Sequence, residues 1–307
     1  ISSMVVRKIS YYRVIVSLCL FMFLLSPVFG DEISAVSFDK ELPENNIVTI
    51  QPDSLRILHN PLTGWVLYAS MGVDAADFWA QYDHMYIPEL GHNVSVTDYA
   101  HTLYIRASWT DFNPQEDVYG WKIDSNLRAY IEGAYQRNMR LAFRVVVDSR
   151  DKRTEFTPQF VKDAGAKGFM NKGKWSPYSD DSVFQKYYTK FVKALAKDFN
   201  DPSKVEFIDG FGLGKWGEYH TMIYSTGDDT PKKAVFDWVT DIYSQAFDKV
   251  PVVINYHRWI GAGKDWVDDE HFAADSEEML EEAIKKGYSL RHDAFGMTTY
   301  YGSWERR

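Results

Sequence analysis

The sequence predicts an α/β fold in which a parallel β-sheet is covered by helices. Six short apolar segments, none of which alternates with polar residues, are separated by segments with helical periodicity. Strands of this composition are typical of parallel sheets that are buried on both faces. The residues alone leave two architectures open, an eight-stranded (β/α) barrel and an open doubly wound sheet, and a closed barrel needs two strands beyond the sixth.

The predicted strands follow one another along one continuous stretch of the chain. They are residues 64–68, 101–107, 141–147, 205–209, 250–256 and, with a weaker signal, 293–297. A turn at Asn60-Pro61 precedes the first strand, and Asp148 ends the third. Because helices intervene between successive strands, parallel pairing is favoured.

Four amphipathic helices are predicted between these strands. They cover residues 123–134, 184–199, 231–247 and 276–286, each with apolar residues on one face. Ile123 is predicted to lie on the apolar face of the first helix. Thr230 is the expected N-cap of the third helix, with a proline at its first position. In the fourth helix, Ala283 and Ile284 are expected to face inward, and Gly287 ends the helix.

Residues 1–30 have the composition of a secretory signal. A basic start is followed by an apolar core at residues 14–25 and by small residues at 28–30. The apolar core is short for a membrane span, and no charged stop-transfer pattern follows it. We therefore predict a cleaved signal peptide, a secreted or periplasmic location and no stable membrane span after cleavage; an uncleaved anchor is the alternative.

The rest of the chain is predicted to form one folded domain. Residues 31–55 are polar and mixed, which predicts an extended lead-in, and residues 56–307 are long enough for one large core. Cys19, the single cysteine, lies in the predicted signal, so the mature chain has no disulfide. A net charge of −9 without a basic stripe excludes nucleic acid as an expected partner. The aromatic content of 16% suits carbohydrate binding.

The segment from Phe211 to His220, directly after the fourth predicted strand, contains the strongest candidate for chemistry. It places Glu218 among aromatic residues, a histidine and several glycines. Aromatic neighbours exclude water and disfavour the charged form of a carboxyl group, which raises its pKa toward the range of a general acid. We therefore predict Glu218 as a general acid/base; the alternative is that Glu218 ends a turn and Trp216 fills the core.

Residues that follow the other predicted strands are candidate substrate contacts, because barrel enzymes place their chemistry at the carboxyl ends of strands. Trp65, Trp216 and Tyr256 are predicted to stack on sugar rings. Asp148 and His257 are predicted to contact sugar hydroxyl groups. Arg106 and Arg144 lie in predicted strands and are also typical of salt bridges in a core.

Three other kinds of site are disfavoured. Residues 212–217 match the dinucleotide-binding spacing, but the next predicted helix begins only at Pro231 and Glu218 would repel a pyrophosphate. Residues 168–174 match the spacing of a phosphate-binding loop, but Trp175 stands where a hydroxyl group is required. The eight histidines show no metal-ligand spacing. We predict no cofactor and no metal.

Residues 175–220 resemble clan A glycoside hydrolases, and most closely the β-galactosidase-like group related to glycoside hydrolase family 42. The resemblance is carried by Trp175-Ser-Pro-Tyr178, Phe207-Ile-Asp209 and Gly214-Lys-Trp-Gly-Glu-Tyr-His220. It implies a (β/α)8 TIM barrel, here truncated after strand six. It also implies retaining chemistry, with an acid/base glutamate after strand four, where Glu218 stands, and a nucleophile after strand seven.

The resemblance also suggests roles for other residues. Arg106, near the end of the second strand, matches the arginine that helps to hold the nucleophile in this clan. The clan usually has asparagine before the acid/base to bind the sugar 2-hydroxyl, whereas this chain has Gly217; His220 or Asn255 is the candidate replacement.

The resulting functional prediction is a secreted retaining glycoside hydrolase of β-galactosidase-like type that acts on an oligo- or polysaccharide. Its barrel domain is predicted to be incomplete at the C-terminal end, with the nucleophile beyond residue 307. The alternative from another class is a carbohydrate-binding protein on a barrel scaffold without catalysis, which explains the aromatic content and the missing nucleophile equally well.

Overall fold

The computed structural model describes residues 64–69, 71–150, 154–257, 259–263 and 275–292, all within a compact unit of residues 57–307. The predicted signal peptide, the lead-in and the predicted strand at 293–297 lie outside the described residues.

The described residues alternate between strands and helices for most of their length. In chain order the elements are β1 (Trp65–Tyr68), α1 (Ala75–Asp83), β2 (Met85–Ile87), β3 (His92–Val94), β4 (Ala100–Ser108), α2 (Trp109–Phe112), α3 (Gly120–Ile123), α4 (Ser125–Gln136), β5 (Arg140–Val146), α5 (Gln159–Asp163), β6 (Gly168–Asn171), β7 (Lys174–Pro177), α6 (Ser182–Phe199), β8 (Val205–Asp209), α7 (Lys232–Ala246), β9 (Val252–Asn255), α8 (Ser276–Lys285) and β10 (Ser289–Arg291). The described residues also contain two short 3₁₀ helices, Val96–Asp98 and Lys215–Gly217.

A six-stranded sheet in the order β1-β4-β5-β8-β9-β10 forms the centre of the fold. Every pair of neighbouring strands in it is parallel. A doubly wound sheet reverses its strand order at a switch point, whereas this order follows the chain throughout. The described residues therefore form six consecutive strands of a (β/α)8-barrel type of sheet, which confirms the predicted fold class.

Five strands lie where the apolar segments predict them, within two residues at most ends. The sixth strand of the described sheet was not predicted. It is β10, whose sequence Ser-Leu-Arg is short and mostly polar, with the first two residues exposed. Strand prediction from apolar runs misses such a segment, because β10 pairs with β9 through its backbone and buries little of its own surface.

The predicted helices correspond to α4, α6, α7 and α8, with corrections at single residues. The carboxylate of Asp181 accepts a hydrogen bond of 2.9 Å from the backbone of Phe184 and caps α6. Ile123 is 60% exposed, so its predicted place in the core is wrong. Ile284 is also exposed, whereas Ala283 is buried, because adjacent helical residues point about 100° apart. Pro231, not Thr230, occupies the N-cap of α7.

An aromatic core fills the space between the sheet and α6. The indole of Trp109 lies 5.2 Å from the ring of Tyr188 and 5.7 Å from that of Phe191, measured between centroids. All three side chains are buried. Burial of each such ring contributes about 1.5–3 kcal/mol relative to exposure, so this layer fixes α6 against α2, the helix that directly follows β4.

The segment with the spacing of a phosphate-binding loop forms an antiparallel hairpin, β6–β7. Its two-residue turn has φ of 49° at Lys172 and 77° at Gly173. Two successive positive φ values are typical of the turns that match the twist of a hairpin. This geometry supports the exclusion of a phosphate loop; the hairpin itself was not predicted.

Candidate active site

The candidate site lies at the carboxyl ends of the sheet strands, where the sequence places Glu218. The register pairs Arg106 of β4 with Arg144 of β5, and Asn255 of β9 with Arg291 of β10. Side chains of successive strands therefore meet at one edge. Asp209, the last residue of β8, belongs to the same edge.

The loop that follows β8 is held on both sides by hydrogen bonds to its backbone. Tyr288 donates to the carbonyl of Gly210 at 2.7 Å, and Tyr188 donates to the carbonyl of Phe211 at 3.1 Å. Gly212 has φ of 72°, and a β-carbon there would lie 2.3 Å from the carbonyl oxygen of Val145. Glycine is therefore required where the loop crosses the end of β5.

Three bulky or β-branched residues of this loop adopt positive φ values. They are Trp216 at 60°, Tyr219 at 61° and Thr221 at 52°. The other non-glycine residues with positive φ in the described ranges are Asp, Asn or Lys. Each such conformation costs about 1–3 kcal/mol and persists only where the surroundings enforce it, most often at functional sites. The strain is concentrated on both sides of Glu218.

The carboxylate of Glu218 is 12% exposed and forms an ion pair with Arg144, whose Nη1 lies 3.0 Å from Oε1. Nε2 of His220 lies 3.5 Å from Oε2 of the same carboxylate. The partial burial of Glu218 favours its protonated form, as the sequence predicts. The guanidinium group of Arg144 has the opposite effect, since a nearby cation favours the ionised form. The protonation of Glu218 therefore depends on both desolvation and Arg144.

His257 fixes the backbone of Glu218. Its Nε2 lies 2.7 Å from the carbonyl oxygen of Glu218, and its Nδ1 lies 3.1 Å from the backbone nitrogen of Trp259. A carbonyl oxygen only accepts and a backbone N–H only donates. His257 is thus neutral, with its proton on Nε2, and its ring is used in positioning rather than turned toward a ligand.

Asp209 is the most deeply buried charge at this edge, with a side chain that is 0% exposed. Its Oδ2 accepts from Tyr104 at 2.5 Å and from Nε of Arg144 at 2.9 Å. Its Oδ1 accepts from Nε of Arg291 at 2.7 Å. These donors come from three different strands and stabilise Asp209 as an anion that a sugar ring does not reach.

Arg106 donates a hydrogen bond of 2.8 Å to the carbonyl oxygen of Trp216. It therefore holds one of the strained residues of the loop. The indole of Trp216 is half-buried, and Nζ of Lys215 lies 4.6 Å from its ring centroid. Trp216 remains partly accessible beside Glu218.

Asp148 is buried and is bonded mainly to Arg150 of its own loop, with a longer hydrogen bond of 3.5 Å from Ser176 of β7. It accepts 2.9 Å and 2.7 Å hydrogen bonds from the backbone and Nε of Arg150. Arg150 in turn donates to the carbonyl oxygen of Thr221. The structure thus shows Asp148 supporting the loop of Glu218 through Arg150, where the sequence predicts a contact with sugar hydroxyl groups.

The remaining predicted site residues divide between the two edges of the sheet. Asn255 is buried at the end of β9, and Tyr256 after it is half-buried. Trp65 pairs with Ala100 at the opposite, amino end of β4 and is 76% exposed. The prediction that Trp65 lies with the other site residues is wrong, because the first residue of a parallel strand lies at the edge opposite to its last.

Sequence reasoning missed Tyr104, Asp209 and Arg291 as members of the site. It assigned Arg144 to core salt bridges, which the structure confirms. These residues could have been predicted from their position in otherwise apolar strands, since a charged side chain in a buried strand requires a partner. The signal for Arg291 was weak, because β10 itself was not recognised.

An open cavity of about 490 Å³ lies beside the same loop. Its lining residues are Met222, Ile223, Tyr224, Gly227, Asp228, Asp229 and Gly263. It combines apolar side chains with two carboxylates, a mixture suited to a polar ligand that also has apolar faces.

Within the described ranges, His, Cys, Asp and Glu side chains form no group of three or more that could hold a metal ion. Across those same residues, no helix has the length and apolar character needed to cross a membrane.

The fold and site together define a β/α-barrel type of protein with a partly buried acidic site at the carboxyl edge of its strands. No protein family matches the chain, and no curated protein matches it.

Solved structures that are similar to this chain include the following three proteins. An endo-1,4-beta-xylanase from Caldicellulosiruptor owensensis is 13% identical over 64% of this chain and 53% of its own, with a TM-score of 0.37. Endo-glycoceramidase II from Rhodococcus sp. is 12% identical over 78% and 62%, with a TM-score of 0.41. A GH10 structure from Paenibacillus barcinonensis is 12% identical over 74% and 58%, with a TM-score of 0.42. The chain thus spans less than two thirds of each of these proteins.

Proposed function

We propose that the protein is a retaining glycoside hydrolase that uses Glu218 as its general acid/base. The observation that carries this proposal is the strained loop after β8, which holds a partly dehydrated carboxylate at the carboxyl edge of a barrel-type sheet. An ordinary turn or cap places glycine or asparagine at positive φ, whereas this loop has Trp216, Tyr219 and Thr221 there. Holding one acid in a defined position is what proton transfer to a glycosidic oxygen requires.

In the proposed mechanism, Glu218 protonates the glycosidic oxygen in the first step and deprotonates water in the second. Retention needs a second carboxylate roughly 5–5.5 Å away as the nucleophile. Asp209 does not fit this role, because it is fully buried and accepts three hydrogen bonds. We propose that the nucleophile lies outside the described residues, after a later strand of the barrel.

The proposed substrate is an oligo- or polysaccharide with β-galactosidase-like linkage chemistry. Trp216 and Tyr256 are half-buried aromatic residues at the correct edge and are suited to stacking on sugar rings. His220 and Asn255, the two candidate contacts for the sugar 2-hydroxyl, are both buried, and Nε2 of His220 lies 3.5 Å from Oε2 of Glu218. We retain the proposals that residues 1–30 are a cleaved signal and that the protein is secreted or periplasmic.

The proposal is tested with the full-length protein and a panel of chromogenic glycosides. We expect hydrolysis of at least one β-glycoside, with the anomeric configuration of the first product retained by NMR. A protein that binds the corresponding oligosaccharide in calorimetry but turns over no member of the panel would be the carbohydrate-binding alternative. Inversion of configuration would contradict the retaining mechanism.

A further inference from the structure

We propose that Asp209 is a positioning residue that controls the protonation of Glu218 through the guanidinium group of Arg144. Its consequence for catalysis rests on the function proposed above. The electrostatic coupling itself concerns three described side chains and is measurable without any turnover.

Arg144 connects the two carboxylates through different nitrogen atoms. Its Nε lies 2.9 Å from Oδ2 of Asp209, and its Nη1 lies 3.0 Å from Oε1 of Glu218. The side chains of Arg144 and Asp209 are 1% and 0% exposed, and that of Glu218 is 12% exposed. Charges this close and this poorly hydrated interact far more strongly than charges in water.

One guanidinium group carries a single positive charge, so the two carboxylates share it. Asp209 takes part of the favourable interaction that Arg144 would otherwise give to ionised Glu218. Arg291 lies on the far side of Asp209, with its Nε 2.7 Å from Oδ1. The charges therefore alternate in sign along Glu218, Arg144, Asp209 and Arg291. Neutralising Asp209 leaves both cations uncompensated and increases the preference of Glu218 for the ionised form.

The other groups that face these carboxylates are few among the described residues. His220 approaches Oε2 of Glu218 at 3.5 Å, and its protonation adds a further cation on that side. Tyr104 donates a neutral hydrogen bond to Asp209. Arg106 and His257 hold backbone carbonyl oxygens of the loop rather than either carboxylate. Arg144 is the group that contacts both carboxylates.

This arrangement has a direct use in acid/base catalysis. A general acid must be protonated before it reacts, and an arginine paired with Glu218 alone would keep the carboxylate ionised. By sharing Arg144, Asp209 weakens that effect while the guanidinium still fixes the position of Glu218. Asp209 thus allows Glu218 to gain and lose a proton without losing its orientation.

The test is a carboxyl ¹³C NMR titration of the full chain labelled at glutamate Cδ, with Glu218 assigned by the loss of its signal in Glu218→Gln. We expect the titration midpoint of Glu218 to fall by about one pH unit in Asp209→Asn. In Arg291→Gln, where a cation is removed instead, we expect the midpoint to rise. Glu206→Gln is the matched control, because Glu206 lies in the same strand and pairs with Arg140, and we expect no shift there.

An unchanged midpoint in a folded Asp209→Asn protein overturns the inference. If Asp209→Asn does not fold, the test uses Arg291→Gln, because Arg291 is 21% exposed and its loss leaves less buried charge behind. The inference is then overturned if the titration midpoint of Glu218 does not rise in Arg291→Gln. The expected shifts in a protein without glycosidase activity would reject the proposed function and leave the coupling intact. In an active enzyme, the alkaline limb of the kcat/KM profile moves with the midpoint.

Discussion

The two ends of β8 each pair a buried carboxylate with an arginine of β5, but they do so in different ways. At the amino end, Glu206 forms an ion pair with Arg140, and the arginine side chain is 29% exposed. At the carboxyl end, Asp209 pairs with Arg144, and both side chains are almost completely buried. The second pair extends to Glu218 and Arg291, so that four charges form one network.

The difference shows that the carboxyl end carries more buried charge than the fold itself requires. At the amino end, the same two strands are joined by the ion pair of Glu206 and Arg140, whose arginine side chain remains in contact with water. Burying four charges costs several kcal/mol of desolvation per ion before their attraction offsets it. A network of this kind beside a strained loop is typical of a site where protonation matters.

The largest expected effect is on kcat, which should respond differently to substitutions at the two ends of β8. Glu218→Gln removes the proton donor and should reduce kcat on glycosides with poor leaving groups by about 10²- to 10⁴-fold. Glu206→Gln changes the same functional group at the amino end and should leave kcat within about twofold of wild type. Steady-state kinetics with a matched series of aryl glycosides measures both, and equal losses in the two variants would remove the distinction between the ends.

The second effect concerns stability. Arg144→Met leaves Asp209 and Glu218 without their shared cation, and breaking such a buried pair costs about 3–5 kcal/mol of unfolding free energy. Arg140→Met at the amino end should cost about 1–2 kcal/mol, because Glu206 can regain water there. Urea unfolding followed by tryptophan fluorescence gives both values. A larger loss in Arg140→Met would show that the amino-end pair is the more buried in solution.

The third effect tests the strain in the loop of Glu218. Thr221→Asn places a residue that tolerates positive φ at the strained position and should add about 0.5–1 kcal/mol of stability. It should also reduce kcat several-fold, because Thr221 shares a hydrogen bond with Nδ1 of His220. Lys172→Asn, in the turn between β6 and β7, relieves a positive φ outside the site. A similar gain in stability without a change in kcat is expected there.

The smallest effect concerns an ion pair far from both ends of β8. The hydrogen bond from Arg137 lowers the pKa of Asp83 below 3.8, against the desolvation of this carboxyl group. A lowered folded-state pKa contributes stability that is present above the unfolded value and is lost as the pH falls through the folded value. Asp83→Asn should therefore cost at most about 1 kcal/mol at pH 7, and this cost should shrink as the pH falls through the folded-state pKa. Thermal unfolding across this range measures the difference, and a cost that stayed constant with pH would contradict the assignment.

The sequence predicts much of the sheet but only part of the site. Continuous apolar runs mark five of the six described strands because those strands are buried, whereas the short, polar β10 has no such signal. Glu218 is predictable from its aromatic neighbours. The pairing of Arg144 with Asp209 depends on the register of strands 65 residues apart, which hydrophobic periodicity does not determine. Positive φ at Trp216 is equally unpredictable, because its residue type disfavours that conformation.

The misplacement of Trp65 has a simpler cause. The predicted strand begins at residue 64, so Trp65 lies close to its amino end. The direction of the strand therefore places Trp65 at the amino edge of the sheet. The aromatic ring of Trp65 suggests sugar stacking, but residue type alone does not show at which edge of the sheet the residue lies.

The most direct test of Glu218 as the acid/base is azide rescue of Glu218→Ala in the full-length protein, with a dinitrophenyl glycoside as substrate. Loss of the acid/base slows attack of water on a glycosyl-enzyme intermediate, whereas azide needs no such assistance. We predict that azide restores turnover and yields a glycosyl azide of retained configuration. Wild-type turnover in Glu218→Ala without azide would contradict the account.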